Sequence, residues 1–294
     1  MTKAVTAILV AYNSEKVIAS AIASLLADAA VEKIIVVDNC SHDNTRDMIR
    51  RDFPQVTLIE NPRNDGFGPA NNIALARVSG DYALLVNPDA VMNAGAIEKL
   101  LLASERHPDA AIVAPALYDE QGKLHHSFKR NVFDRESSRD KLVVPEGEMC
   151  AEFLSGAVML FNMELMRQVG FFDPNIFLYY EDDDICLRVR NAGFSLVYVP
   201  AAHAVHLMGA SSGASRPEAE HFKQKHMAYS RLYVEEKYHG REAAERLAAR
   251  LHKKYSFKAG FYMLQWNWMK VSRYRGRLTG IAEFLSAEKS RRAA

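Results

Sequence analysis

Four successive carboxylates, Glu181-Asp182-Asp183-Asp184, follow the aromatic run Phe177-Leu178-Tyr179-Tyr180. Charges this close repel one another unless a proton or a cation is shared. One reading is structural: acids that open a helix are held by its macrodipole, and Asp183 and Asp184 are expected to cap in this way. The other reading is chemical. Glu181 and Asp182 would stand against an apolar wall, where a carboxylate can have a raised pKa and serve as a general base. A second acid, Asp89, closes Asn87-Pro88-Asp89 just after the apolar run Tyr82–Val86. A carboxylate there can hold a divalent cation that bridges a diphosphate, although Asn-Pro-Asp also suits a plain turn. In the segment His203 to Ser211, His206 can ligate a metal through its neutral imidazole, or be structural.

Two polar stretches add candidates for ligand binding. In Asp38-Asn39-Cys40-Ser41-His42-Asp43-Asn44-Thr45, the Asp38 carboxylate could accept a hydrogen bond from the imide N–H of uracil or thymine. The same residue types cap an ordinary strand-to-helix turn, so this motif alone leaves both readings open. In Asn61-Pro62-Arg63-Asn64-Asp65-Gly66-Phe67-Gly68 the glycines permit close backbone approach. Arg63 could pair bidentately with a phosphate. A turn before Pro69 would explain the glycines but not the density of Asn, Asp and Arg.

The elements that must position these residues alternate. The short apolar run Val5–Val10, with its β-branched residues, reads as a buried strand, and Ile34–Val37, Val56–Ile59 and Tyr82–Val86 as three more strands. Helices are expected from Glu15 to Ala27 with Ser14 as N-cap, and near 43–52 and 69–79. Such alternation implies a doubly wound, mostly parallel α/β sheet, Rossmann-like, with its crevice beyond the carboxyl ends of the strands. Asn13, Asp38, Asn39, Asp65 and Asp89 fall at or beyond those ends. Residues 119–149 read as a loop or flap, Phe153–Phe161 as one strand, Met163–Val169 and Glu181–Ala192 as helices, and Phe194–Val199 as a strand. Gly193 suits the C′ position after the second of those helices. After Arg216-Pro217 the pattern is helical to the end, broken at His239-Gly240.

Composition narrows the class. With 294 residues, 49% hydrophobic and 25% charged, the chain can bury a substantial core. No apolar run approaches the roughly 20 residues that cross a bilayer. No secretory signal is visible, and Cys40, Cys150 and Cys186 are too scattered for a disulfide framework, so a reducing cytoplasm is expected. The net charge of +1 hides an asymmetry: residues 221–294 hold 17 Lys and Arg against 6 Asp and Glu, or +11. That leaves −10 for residues 1–220. The basic part contains both Trp266 and Trp268, and a contact with an anionic membrane at its inner face is expected there, against the alternative of a solvated helical extension. Nothing indicates a nucleic-acid partner. The domains expected are 1–220, with a nucleotide-binding half over 1–110 and an acceptor half over 111–220, and a basic helical extension over 221–294.

Taken in order, Ala11-Tyr12-Asn13, Asp38 to Thr45, Arg63 to Gly68 and Asn87-Pro88-Asp89 resemble family 2 glycosyltransferases of the GT-A fold. Phe153-Leu154-Ser155-Gly156-Ala157, Gly170-Phe171-Phe172-Asp173, Glu181 to Arg188 and His206-Leu207-Met208-Gly209-Ala210-Ser211 fit the acceptor half of that family. The resemblance covers about residues 4–235 and is closest to bacterial rhamnosyltransferases, which often carry Asn-Pro-Asp where others carry Asp-x-Asp. It implies a metal-dependent inverting transfer from a dTDP- or UDP-sugar, with L-rhamnose from dTDP-rhamnose first, to a cell-surface glycan or a lipid-linked acceptor. It implies a donor set of Ala11, Tyr12, Asn13, Asp38, Asn39, Asp43, Arg63, Asn64, Asp65, Gly66 and Asn87, with Asp38 reading the base. Asp89 and His206 would ligate Mg²⁺ or Mn²⁺. Asp182 would be the base and Glu181 the second candidate. Asn87 departs from the acidic residue usual there and removes one negative charge from the metal site. A UDP-hexose or galactofuranose transferase and a non-catalytic sugar-nucleotide binder are the alternatives. The first strand is followed by neither a Gly-x-Gly-x-x-Gly dehydrogenase fingerprint nor the Gly-rich basic loop of a nucleotidyltransferase.

Overall fold

In the computed structural model, which describes residues 4–125, 127–134, 143, 145–207 and 216–292, Val5–Ala11 forms β1, buried at every residue but Thr6. Its alternate side chains enter two different cores. Ala7, Leu9 and Ala11 join one, Ile8 and Val10 the other, as the two-residue period of a strand covered on both faces requires. Then come α1 (Ile18–Leu26), β2 (Val31–Asp38), α2 (Thr45–Asp52), β3 (Thr57–Glu60), α3 (Phe67–Leu75), β4 (Tyr82–Val86), β5 (Ala90–Met92), α4 (Ala96–Arg106) and β6 (Ala110–Tyr118). Strands β3, β2, β1 and β4 lie side by side and parallel. The chain leaves β1 for β2 on one side and returns to β4 on the other, so the crevice opens at the ends of β1 and β4. The first helix starts later than expected. Ser14 does not cap it: its Oγ accepts from the Tyr12 N–H at 3.2 Å, and its carbonyl receives the Val17 and Ile18 N–H groups at 3.0 Å.

The second half adds β7 (Leu124–His125), β8 (Phe128–Lys129), β9 (Met149–Cys150), β10 (Phe153–Leu154), β11 (Val158–Asn162), α5 (Met163–Val169), α6 (Glu181–Asn191) and β12 (Ser195–His206). The run expected as one strand at 153–161 is two, separated by Ser155–Ala157. Ser155 N–H donates to Ser127 O at 2.7 Å, continuing the register of β10 on β8 in a separate two-stranded sheet. Strand β11 runs antiparallel between β4 and β6, and β12 runs parallel to β6. β12 is also longer than expected. It continues to His206 and pairs antiparallel with β5, His206 facing Ala90. The 119–149 segment carries β7, β8 and part of β9. Residues 126, 135–142 and 144 of it, and Met208 to Ser211 of the histidine motif, lie outside the described residues.

The chain divides into two compact units, Met1–Pro174 with Glu181–Ser211, and Asn175–Tyr180 with Ser212–Ala294. In the second, α7 (Arg216–His239), α8 (Arg241–Leu264) and α9 (Trp268–Arg292) are broken at Gly240 and at Gln265–Asn267. Leu232, Leu251, Tyr255, Ile281 and Phe284 form its core. Helix α9 meets α7 through Gly276 and Gly280, where an added Cβ would collide with the His221 and Lys225 carbonyl oxygens. The strap 175–180 belongs to this unit. Ser230 Oγ donates to Leu178 O at 2.9 Å, and the Phe177 ring lies 4.7 Å from that of His226. Burial, then the charge of Lys225, pushes the His226 imidazole down to about 4. The strap ends in two successive aromatic residues with left-handed backbone, Tyr179 at φ 62° and Tyr180 at φ 69°. Bulky side chains seldom adopt that conformation without an imposed reason.

Candidate active site

Asp38 ends β2 fully buried. Its Oδ2 accepts the Ser41 N–H at 3.0 Å and lies 3.7 Å from Arg46 Nε. Its Oδ1 is buried and accepts no hydrogen bond, a costly condition unless a ligand donor reaches it. Beside it, Asn13 takes a left-handed φ of 51°, which sets its Oδ1 to accept the His42 N–H at 2.8 Å and its own N–H to donate to Ser41 Oγ at 2.9 Å. The Tyr12 ring stands edge-on to His42, centroids 6.5 Å apart. Ala11 is fully buried and its carbonyl accepts the Asn39 N–H at 2.7 Å.

Two of the expected donor residues spend their side chains on architecture. Asn39 Nδ2 donates to Asn64 Oδ1 at 2.8 Å and to Gly66 O at 3.0 Å, while its Oδ1 accepts from Asn61 Nδ2 at 3.0 Å and Asp65 N–H at 3.2 Å. One buried amide thereby holds the whole 61–66 loop against β2. Asp43 accepts from the Thr45 hydroxyl and N–H and from Glu15 N–H. Burial raises its pKa, and these hydrogen bonds outweigh that, leaving the carboxyl below its ordinary range. In the loop, Asn61 Nδ2 donates to Asp65 at 2.9 Å and Arg63 pairs with the other oxygen. The Asn61 bond, with Arg63 adding to it, keeps Asp65 low. The Arg63 side chain is 81% exposed and its remaining nitrogens face solvent. Gly66, at φ 89°, turns the chain into α3.

At the end of β4, Asn87 N–H donates to Ala157 O at 2.8 Å. Asp89 is buried, and its Oδ1 lies 3.1 Å from His206 Nε2. The β5–β12 pairing makes this meeting across 117 residues, and Leu207 N–H donates to Asp89 O at 2.9 Å. A buried carboxylate and an imidazole nitrogen that already converge are a suitable donor pair for Mg²⁺ or Mn²⁺. Among the described residues no group of three or more His, Cys, Asp or Glu side chains gathers in this way. A cation held here would draw its other ligands from elsewhere, as a diphosphate can supply.

The turn Ser155–Ala157 joins this corner to the acidic cluster. Ala157 O is bound to Asn87, and Gly156 N–H donates to Asp182 Oδ2 at 3.3 Å. A Cβ on Gly156 would lie 3.3 Å from Asp182 Cβ and 3.7 Å from the Phe67 ring, so glycine is what lets the turn approach the carboxylate. Glu181 is buried with its Oε2 accepting no hydrogen bond. Burial first, then the charge of Asp182, holds its carboxyl well above the ordinary value. Asp183 and Asp184 both lie in the first turn of α6, as expected of acids that open a helix. For Asp184 this is only part of its surroundings. It is fully buried and pairs with Arg188 one turn on, Nε to Oδ2 2.9 Å. Arg188 also donates to the carbonyls of Val169, Gly170 and Phe171, clamping the loop that precedes the strap. Gly156 and Arg188 are absent from the expected site residues. A glycine inside an otherwise apolar run was the available signal for the first; the second closes the acidic motif Glu181 to Arg188, which gave it no role of its own.

The description "Glycosyl transferase family 2" belongs to the family model that matches residues 6–169. Among curated relatives, the N-acetylglucosaminyl-diphospho-decaprenol L-rhamnosyltransferase of Mycobacterium tuberculosis (strain H37Rv) is 28% identical over 257 residues, covering 77% of this chain and 82% of its own length. Rhamnosyltransferase WbbL of Escherichia coli (strain K12) is 29% identical, over 68% of this chain and 81% of its own. The dTDP-rhamnosyl transferase RfbF of Shigella flexneri is 27% identical, over 72% of each. Of solved structures, the mannosyltransferase PcManGT from Pyrobaculum calidifontis, in complex with GDP-Man and Mn²⁺, matches with a TM-score of 0.58 at 14% identity, over 95% of this chain and 87% of that one. GalNAc-T7 with UDP, GalNAc and Mn²⁺ matches at 0.57 and 13%, over 77% of this chain and 50% of that one.

Proposed function

Because the chain belongs to glycosyl transferase family 2, and is thus a glycosyltransferase of the GT-A fold, we propose that it transfers L-rhamnose from dTDP-L-rhamnose to a hydroxyl of a lipid-linked or cell-surface glycan precursor, with inversion at the anomeric carbon. The observation that carries the donor assignment is Asp38 Oδ1, buried and accepting no hydrogen bond at the end of β2. A pyrimidine imide N–H is the donor it would take. Rhamnose is supported by the names of the three relatives, one of which acts on a diphospho-decaprenol acceptor by its name. Three free cysteines support a reducing compartment, so we place the reaction in the cytoplasm, at the membrane face where a lipid-linked acceptor would lie.

The steps follow from the side chains. Asp38 fixes the base, with the Ser41 N–H orienting its carboxylate. Arg63 offers a guanidinium fork to phosphate oxygens. Asp89 and His206 would hold Mg²⁺ or Mn²⁺, whose charge offsets that gathering on the departing diphosphate. Asp182 takes the proton of the acceptor hydroxyl. The freed oxygen forms its bond to the anomeric carbon on the face opposite the leaving diphosphate, so the centre inverts, by the geometry that governs inverting hydrolases. Glu181 has a supporting part. With its carboxyl raised by burial and by its neighbour, it favours a pair that carries one negative charge, on Asp182.

The test is a panel of nucleotide sugars assayed for nucleotide release, with and without Mn²⁺. Turnover is expected with dTDP-rhamnose above all others. Turnover of UDP-hexoses or a UDP-galactofuranose donor without dTDP-rhamnose would move the donor to that class. Tight donor binding with no turnover in the presence of any acceptor would make the chain a binding protein.

A further inference from the structure

The α8–α9 turn gathers large apolar side chains on the outside of the second unit. Leu264 is 81% exposed, Trp266 77%, Phe257 76% and Trp268 54%, with Phe261 and Met263 also exposed. Contiguous exposed apolar surface of this kind marks an interaction site. At the turn Trp266 takes a left-handed φ of 53°, a conformation that residues with a Cβ seldom adopt. The two indoles then stand edge to face, centroids 6.1 Å apart.

The charge around this tip is of one sign. Residues 246–282 hold nine Lys and Arg and no Asp or Glu. Lys270 Nζ lies 4.4 Å from the Tyr262 ring centroid and Lys258 Nζ 5.6 Å from that of Tyr274, so ammonium groups sit on the aromatic flank of the apolar tip. Trp, Tyr and Lys beside exposed Leu, Met and Phe are the composition of a segment lying at a lipid headgroup boundary. No helix among the described residues is long and apolar enough to cross a membrane, which leaves docking in the plane. A second copy of this chain would bring nine more cations to the same surface. An anionic bilayer is complementary both to the charge and to the aliphatic residues.

We propose that the α8–α9 tip, residues 257–270, is a membrane-docking surface that seats Leu264, Trp266 and Trp268 in the headgroup boundary of an anionic bilayer. This goes beyond the transfer reaction and stands on the second unit's own surface. Trp266 and Trp268 are the only tryptophans in the chain, so tryptophan emission of the full-length protein, excited at the red edge where tyrosine does not absorb, reports on the tip alone. Vesicles of phosphatidylglycerol with phosphatidylcholine are titrated in, at low and high salt, beside vesicles of phosphatidylcholine alone. Expected are a blue shift and quenching by brominated acyl chains, with affinity falling roughly tenfold or more when the anionic lipid is omitted or the salt is raised. Leu264→Asp and Phe257→Asp, both at exposed positions, should reduce co-flotation without changing the far-ultraviolet circular dichroism. Flotation without a blue shift would assign binding to another surface. Absence of flotation at low salt would overturn the proposal outright. A blue shift that grows with protein concentration in the absence of lipid would assign the tip to a second copy. The nucleotide-sugar panel needs no vesicles, so either proposal can fail while the other stands.

Discussion

Asp182 and Glu181 are neighbours in sequence with separate tasks, and each has its own signature. Asp182→Asn keeps the size and can still hydrogen-bond Gly156, but it cannot take a proton. Turnover should fall by about 10²–10⁴-fold, with donor affinity by calorimetry nearly unchanged. A near wild-type kcat would move the base elsewhere. Glu181→Gln should act on stability instead. The Glu181 carboxyl is raised well above 4.5 in the folded protein, whereas the unfolded chain releases the proton near that value. The folded state thus binds more protons, and the wild type loses stability as pH rises past that value. Gln carries no such proton, so the melting temperature of Glu181→Gln should gain on the wild type from about pH 4.5 upward; a pH-independent difference would remove the protonated Glu181 from the account. At the other corner, His206→Ala and Asp89→Ala should each raise the Mn²⁺ concentration needed for half-activation by at least about tenfold. Full activity of His206→Ala at limiting Mn²⁺ would exclude His206 from the site. At this scale residue types named the candidates, although a carboxylate at a strand end also suits an ordinary turn. What could not be read was which side chains are spent internally. Asn39 and Asp43 look like ligand contacts in sequence and are tied to the 61–66 loop and to Thr45 in space.

The strands β1, β2 and β4 were legible because burial on both faces writes an uninterrupted apolar run; β3, whose residues are exposed or half-buried, was read from its short apolar stretch alone. The failures lie where a polar or small residue does something other than its commonest work. Ser14 turns back to Tyr12 instead of capping α1. Gly156 divides an apolar run into β10 and β11 so that its amide can meet Asp182. Extension of β12 to His206 depends on β5, a three-residue strand with no signature of its own. In the helical unit the break at Gly240 was visible and the one at Gln265–Asn267 was not. Spacing of four residues between Gly276 and Gly280 was a legible sign of close helix contact, since small residues one turn apart let backbones approach. With the Lys225 carbonyl against it, Gly280→Ala should force α9 away from α7. We expect a loss of about 3 kcal/mol, the upper part of the overpacking range, read as a lowered urea midpoint. An unchanged midpoint would mean that α9 tolerates displacement at this contact.

The chain enters the second unit twice, first as the strap 175–180 and again from residue 212 onward. The basic extension is therefore not simply appended. Its helix α7 supplies the partners of Phe177 and Leu178, the residues that lead into Tyr179, Tyr180 and the acidic cluster. Deleting residues 216–294 should lower turnover sharply even with a water-soluble acceptor analogue and no membrane present, while dTDP binding by the first unit persists. Full activity of the truncated chain would reduce the extension to a tether. Composition showed the charge asymmetry of this region but not the strap, because its contacts join residues some fifty positions apart, such as Leu178 and Ser230 at a separation of 52. That separation is also an interval of time. A ribosome adds about 5–20 residues per second, so the strap is made roughly 3–10 s before the helix that holds it. During that interval Phe177, Leu178 and Tyr179 lack the partners α7 supplies, and the first unit must reach its fold with the segment before Glu181 still unheld. Nascent chains stalled just before α7 emerges should therefore be cut by chymotrypsin at this strap, and chains stalled after α7 has emerged should resist.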